Sequence, residues 1–176
     1  MKLQVTQENL SKALSNVAKV AMSNKNPLPI LNNVLLRTDD NRLSISATNL
    51  EIAISEKIGS KVKNEGSITV PARLMQEYIS SLPSGVIDLE LDEHKLHIST
   101  DQFKSTINGV ISDDYPDIPV VDNKIEWSIP AKEFKKGLQQ VVFAASNDES
   151  RPVLTGVYLK TVDGELFAVA TDSYRL

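Results

Sequence analysis

Residues 29–48, PILNNVLLRTDDNRLSISAT, decide the fold, because the chain says them twice. Residues 152–171 read PVLTGVYLKTVDGELFAVAT, and at a constant offset of 123 nine of the twenty positions are identical. The identities reach beyond the apolar pattern to Pro29/Pro152, Thr38/Thr161, Asp40/Asp163 and Thr48/Thr171. The preceding segments match at an offset of 124, through Lys12/Lys136, Leu14/Leu138, Val17/Val141 and Ala21/Ala145, as a one-residue loop change would give. A self-similar chain is built from repeated supersecondary units. A shorter echo sets a second period: Val70-Pro71-Ala72-Arg73 resembles Ile129-Pro130-Ala131-Lys132. Each ends a strand-like run and opens a helical one, with Pro where a missing N–H is harmless. The unit is therefore strand, helix, three strands, with copies beginning near residues 1, 67 and 125.

The local patterns agree with that unit. Leu10, Leu14, Val17 and Ala21 share one helical face over 7–22, and Phe134, Leu138, Val141 and Ala145 do so over 131–145. A shorter helix over 72–81 carries Leu74, Tyr78 and Ile79. Alternation predicts strands through Leu43/Ile45/Ala47, Leu50/Ile52/Ile54, Leu96/Ile98 and Phe103/Ser105/Ile107. Turns are expected at Asp39-Asp40-Asn41, Pro83-Ser84-Gly85, Asp92-Glu93 and Asp163-Gly164. Residues 112–119, with two prolines and three acids, read as the linker between domains. The expectation is a first domain over 1–120 holding two units, and a second over 121–176 that holds one and is incomplete.

Composition excludes several function classes. The 176 residues are 41% hydrophobic, as a globular chain is, and no apolar run approaches a membrane span. The N-terminal MKLQVTQENL lacks the apolar centre of a secretory signal. The absence of cysteine removes disulfides and thiol chemistry and fits a cytoplasmic location. No phosphate-cradling glycine loop and no GxSxG elbow occurs. His94 and His97, three apart on a strand, point to opposite faces and cannot share a metal. Asp113, Asp114 and Asp117 read as a solvated linker, and Asp148-Glu149 with Arg151 as an exposed loop. Neither an enzyme nor a cofactor is expected.

Charge carries the positive signal. The chain is acidic, with net charge -4, yet the three helical segments together carry +3 and the remainder -7. Lys12 and Lys19 lie opposite Leu10/Leu14/Val17, and Lys132, Lys135 and Lys136 lie opposite Phe134/Leu138/Val141. A basic surface shared by related helices suits phosphate contacts that do not read bases.

The chain resembles the bacterial sliding clamps, the beta subunits of DNA polymerase III, throughout its length. The residues that carry the resemblance are Pro27-Leu28-Pro29-Ile30-Leu31, Ala47-Thr48-Asn49-Leu50-Glu51, Val70-Pro71-Ala72-Arg73, Asp114-Tyr115-Pro116, Arg151-Pro152-Val153-Leu154-Thr155-Gly156 and Ala170-Thr171-Asp172-Ser173-Tyr174-Arg175-Leu176. The resemblance implies an α+β clamp fold of repeated β-α-β-β-β units, helices inward and antiparallel sheets outward. It implies a head-to-tail homodimeric ring of three-domain protomers around duplex DNA, a non-catalytic processivity factor. It assigns DNA contact to Lys25 and Arg73; the charge pattern adds Lys12 and Lys136. It assigns binding of short peptides, from the replicative polymerase alpha subunit, the clamp loader and repair proteins, to Leu154, Thr171, Ser173, Tyr174, Arg175 and Leu176. Leu154 and Leu176 would give an apolar floor, and Thr171 and Arg175 rim donors. Ser173-Tyr174 departs from the Gly-His that some members carry there. Two other readings remain: a β-rich protein-interaction adaptor that does not bind DNA, and a hydrolase whose site lies outside these residues.

Overall fold

The computed structural model describes residues 1–22, 28–118, 128–148 and 150–175. The chain divides into two compact units, Met1–Val120 and Val121–Leu176. The fold is α+β.

The first unit opens with strand β1 (Lys2–Thr6) and helix α1 (Gln7–Ala21), then a 3-10 turn at Pro29–Asn32. Strands β2 (Asn33–Asp39), β3 (Arg42–Thr48), β4 (Ala53–Gly59) and β5 (Lys61–Asn64) follow. The second copy begins at β6 (Ser67–Pro71), continues through α2 (Ala72–Ser81), and ends with β7 (Val86–Asp92), β8 (Lys95–Ser99) and β9 (Lys104–Asn108). The two copies exchange their first strands. One antiparallel sheet has the order β5-β1-β7-β8-β9, the other β4-β3-β2-β6. The first sheet thus takes β1 and β5 from the first copy and the second takes β6 from the second copy, which makes neither copy separable.

One core fills the space between sheets and helices. Leu10, Ala13, Leu14, Val17, Ala18 and Ala21 of α1 are buried against Leu36, Leu43 and Ile45 and against Leu3, Ile87 and Leu89. That spacing is an unbroken helical stripe. α1 and α2 pack side by side. The buried Gln7 side chain donates to the Ile79 carbonyl (2.8 Å), which also accepts the Leu82 amide (3.3 Å) where α2 ends. Pro71 and Pro130 occupy the position just before their helices with near-identical backbone angles, φ -54° and -57°, ψ 118° and 119°. The echo in sequence is an echo in conformation.

The second unit contains α3 (Ala131–Val141), a 3-10 turn at Val142–Ala144, another at Pro152–Leu154, and the hairpin of β10 (Tyr158–Val162) and β11 (Glu165–Val169). The 123-residue repeat is conformational here too. Both copies begin with a 3-10 turn that starts at proline (Pro29, Pro152). Both hairpins turn on two positive-φ residues, Asp40-Asn41 and Asp163-Gly164, the backbone that a tight two-residue hairpin requires.

Four sequence expectations are corrected. Leu50 and Ile52 are not strand residues. They are 56% and 58% exposed in a loop folded on the Asn49 carboxamide, whose Oδ1 accepts the Glu51 and Ile52 amides. On α2 the buried stripe is Ala72, Met75 and Ile79, while Leu74 is exposed. The helix expected over 131–145 ends at Val141 and tightens into the 3-10 turn. Most of the expected linker packs on the first unit: Tyr115 is buried, accepting the Thr48 amide (3.1 Å) and donating to the Asn33 carbonyl (3.3 Å). Burial raises its phenol pKa, partly offset by the Thr48 amide. β5 had no counterpart in the sequence pattern.

Candidate functional site

The candidate residues fall into two sets. The first stands on the solvent side of the helices, in each unit separately. Lys12 and Lys19 are exposed on α1, on the side away from Leu10, Leu14 and Val17. Arg73 is exposed in the first turn of α2, with Glu77 one turn on at 3.6 Å. So open a pair contributes little and leaves the guanidinium free to meet another anion. In the second unit Lys132, Lys135 and Lys136 are exposed on α3. Lys25 lies outside the described residues.

The second set lies on the two loops that flank the β10–β11 hairpin, with the end of α3. The loop before the hairpin is folded on Asp148, whose carboxylate accepts the Ser150 amide (3.0 Å), the Ser150 hydroxyl (2.6 Å) and Arg151 Nε (2.9 Å). Those bonds, Ser150 before Arg151, hold the Asp148 carboxyl below its usual pKa. The fold delivers the chain into the Pro152–Leu154 turn, and the Leu154 carbonyl accepts the Ser146 amide (2.8 Å). Leu154 is left half-buried.

The loop after the hairpin is folded on Asp172. Its Oδ1 accepts the Tyr174 and Arg175 amides (3.0 and 3.1 Å), and its Oδ2 accepts Arg175 Nε (2.9 Å). The Tyr174 amide is the largest cause that lowers the Asp172 pKa. The Thr171 hydroxyl donates to the Arg175 carbonyl (2.6 Å) and accepts the Ser173 amide (3.1 Å), so its proton is directed into the loop and Arg175 is the rim donor that remains. Ser173 has φ 78°, a left-handed conformation that glycine adopts without cost. Its hydroxyl accepts Arg151 Nη1 (3.3 Å), which joins the two loops. The Arg175 guanidinium lies over the Phe143 ring, 5.8 Å from its centroid.

The structure thus brings Leu154, Thr171, Ser173, Tyr174 and Arg175 into one neighbourhood, while Leu176 lies outside the described residues. Tyr174 is 92% exposed, and Val153 and Phe143 are also uncovered. In sequence alone Phe143 has no assigned role, Arg151 reads as part of an exposed loop, and Arg151 and Asp172 serve only as carriers of the resemblance. Phe143 falls off the Leu138/Val141/Ala145 stripe, which is the signal that would have found it. Among the described residues no cluster of His, Cys, Asp or Glu could hold a metal ion, and no helix is long and apolar enough to cross a membrane.

Comparison with known proteins identifies the family. Residues 1–119 match the family model of the DNA polymerase III beta subunit, N-terminal domain, and residues 128–176 that of its central domain. The beta sliding clamp of Synechocystis sp. is 36% identical over the whole chain, and that of Bacillus subtilis 31%. The chain covers 47% and 49% of those two proteins, so it spans about half the length of the curated relatives it matches. The crystal structure of the Bacillus subtilis sliding clamp superposes with TM-score 0.92 at 28% identity, over 98% of this chain and 48% of that one. The beta subunit from Pseudomonas aeruginosa gives 0.91 at 30%, over 99% and 48%. The 123-residue repeat, the exchanged strands and these matches place the chain in one family: it belongs to the bacterial DNA polymerase III beta subunits, the beta sliding clamps, and aligns with their N-terminal domain followed by their central domain.

Proposed function

We propose that the protein containing this chain is a DNA sliding clamp, a non-catalytic ring that encircles duplex DNA and tethers the replicative polymerase and other replication and repair proteins. The carrying observation is the division of α1 and α2, each with one side buried in the core and exposed cations on the other, with the same basic pattern repeated on the partly covered α3. Lys12, Lys19 and Arg73 stand on the outer side of the α1–α2 layer, and Lys132, Lys135 and Lys136 on α3. Contacts of this kind attract phosphates without reading sequence, so the protein can slide. An acidic chain can still act on DNA when its cations are segregated from its acids. Domain boundaries near residue 120, a homodimeric ring and a cytoplasmic location belong to the same proposal. Lys25 is included on the resemblance alone.

The peptide-binding role is proposed for Leu154, Thr171, Ser173, Tyr174, Arg175 and Leu176. It is supported by uncovered apolar side chains in these loops, Val153 next to the half-buried Leu154 and Phe143 beside the Arg175 cation, and by the Arg151–Ser173 hydrogen bond that joins the loops; apolar side chains with a few fixed polar groups suit short apolar peptides.

The DNA contacts are tested by salt. For the full-length polypeptide and a labelled duplex oligonucleotide, the slope of log K against log salt becomes shallower by about one unit for each of Lys12, Arg73 and Lys136 replaced by Ala. A slope that the triple variant leaves unchanged overturns their assignment, and no measurable DNA association would favour the adaptor reading.

A further inference from the structure

The loop after the hairpin spends one carboxylate on three donors. Asp172 Oδ1 takes the Tyr174 and Arg175 amides, which fixes the turn, and Oδ2 takes Arg175 Nε, which fixes the side chain. The two jobs fall on different oxygens and are separable by chemistry. The anchor is the more sheltered partner: the Asp172 side chain is 19% exposed, the Arg175 side chain 57%. One face of the guanidinium is covered by Phe143 and its Nε is taken, and Thr171 holds the Arg175 carbonyl from behind. Among the described residues no other hydrogen bond reaches the guanidinium. What remains open is the Nη edge, on a side chain whose rotamer freedom is already restricted before anything binds. Asp172 also offsets the charge of Arg175, so the open edge suits a neutral acceptor.

We propose that Asp172 is a positioning residue of the peptide site, holding the Arg175 guanidinium on Phe143 so that its Nη edge meets a carbonyl oxygen of the bound peptide. The inference rests on the peptide-binding reading above. Asp172→Asn separates the two jobs. The asparagine carbonyl still accepts both backbone amides, so the turn persists, but no anion holds Nε.

The test uses the full-length polypeptide and a fluorescein-labelled peptide copying the C-terminal tail of the polymerase alpha subunit from the same genome, read by polarisation. Arg175→Ala weakens binding roughly tenfold or more, as loss of a central arginine does. Asp172→Asn weakens it about fivefold, the upper range for a partly exposed ion pair, with the melting temperature unchanged. In the double variant the loss equals that of Arg175→Ala alone, because Asp172 acts only through Arg175. Additive losses overturn the inference, as does unchanged affinity in Asp172→Asn or in Arg175→Ala; the peptide site itself stands in those cases if Leu154→Asp still weakens binding. If Leu154→Asp and Arg175→Ala both leave the affinity unchanged, the site reading fails and the inference with it.

Discussion

Gly109→Ala is expected to destabilise the first unit by about 2–3 kcal/mol, the cost of forcing a methyl into a filled space. Gly109 lies where the chain leaves β9, in one sheet, and crosses to β6, in the other. Its amide donates to the His94 carbonyl (2.7 Å), and the next residue, Val110, exchanges both backbone hydrogen bonds with Thr69 (2.9 and 3.0 Å). A Cβ at Gly109 would stand 2.5 Å from the Thr69 carbonyl oxygen and 2.6 Å from the Ile68 side chain. The nearest obstacle is backbone, already fixed in β6, so it cannot swing aside as a side-chain tip could. The seam must open or the strand must shift. A fall in melting temperature of about 10 °C is the expected reading. Gly137→Ala is the internal control. Nothing lies within 4 Å of the added methyl on α3, so the change stabilises by up to about 1 kcal/mol through helix propensity. A Gly109→Ala protein that melts like the parent would show that the two sheets are not joined this tightly.

Leu154→Asp carries the largest expected effect on function. Leu154 is half-buried on a single 3-10 turn, held by the Ser146 amide on its carbonyl and by its own amide on the Arg151 carbonyl. Neither bond involves the side chain, so an aspartate is accommodated without unfolding the turn. The apolar surface that Leu154 would offer a peptide is replaced by a solvated carboxylate. Loss of a buried apolar anchor of leucine size costs about 2 kcal/mol, or more than tenfold in peptide affinity. Calorimetry of the same variant should show nearly unchanged melting. Unchanged affinity for the polymerase-tail peptide in the full-length polypeptide would remove Leu154 from the site.

How much of this was legible in the sequence depends on whether a residue's role is local. The repeat is legible because its identities fall on residues with specific backbone duties: Pro29 and Pro152 open 3-10 turns, and Asp40 and Asp163 take positive φ in the hairpins. α1 is legible because six buried positions follow one stripe over fifteen residues. α2 is too short for that, and two apolar stripes compete. Leu74 with Tyr78 looks stronger than Ala72 with Met75, and only the packing of α1 decides between them. The exchange of β1 and β6 between copies is a long-range pairing, for which alternation supplies no partner. β5 has a single apolar residue, Val62, and forms because β1 offers it an open edge. Tyr115 hides among acids and prolines, and its burial follows from two hydrogen-bonding groups that β2 and β3 leave beside it.

The same distinction divides the candidate site. The cations on the helices are legible from spacing, since a side chain opposite a buried stripe is exposed. Leu154, Thr171 and Arg175 are reached through the family resemblance, and their clustering follows from the hairpin that brings the two flanking loops together. Asp172, Phe143 and Arg151 are not legible. Asp172 matters through the turn it folds. Phe143 comes to the surface because the helix tightens after Val141, which a continuous 3.6-residue period does not anticipate.

Topological retention on DNA tests the central claim most directly. The full-length protein is loaded onto a nicked circular duplex, separated from free protein by gel filtration, and measured again after the circle is cut once. Retention on the circle and release from the linear form are the expected results, because weak phosphate contacts leave only the closed ring to hold the protein there. Equal retention on both forms, or retention on neither, would contradict the claim.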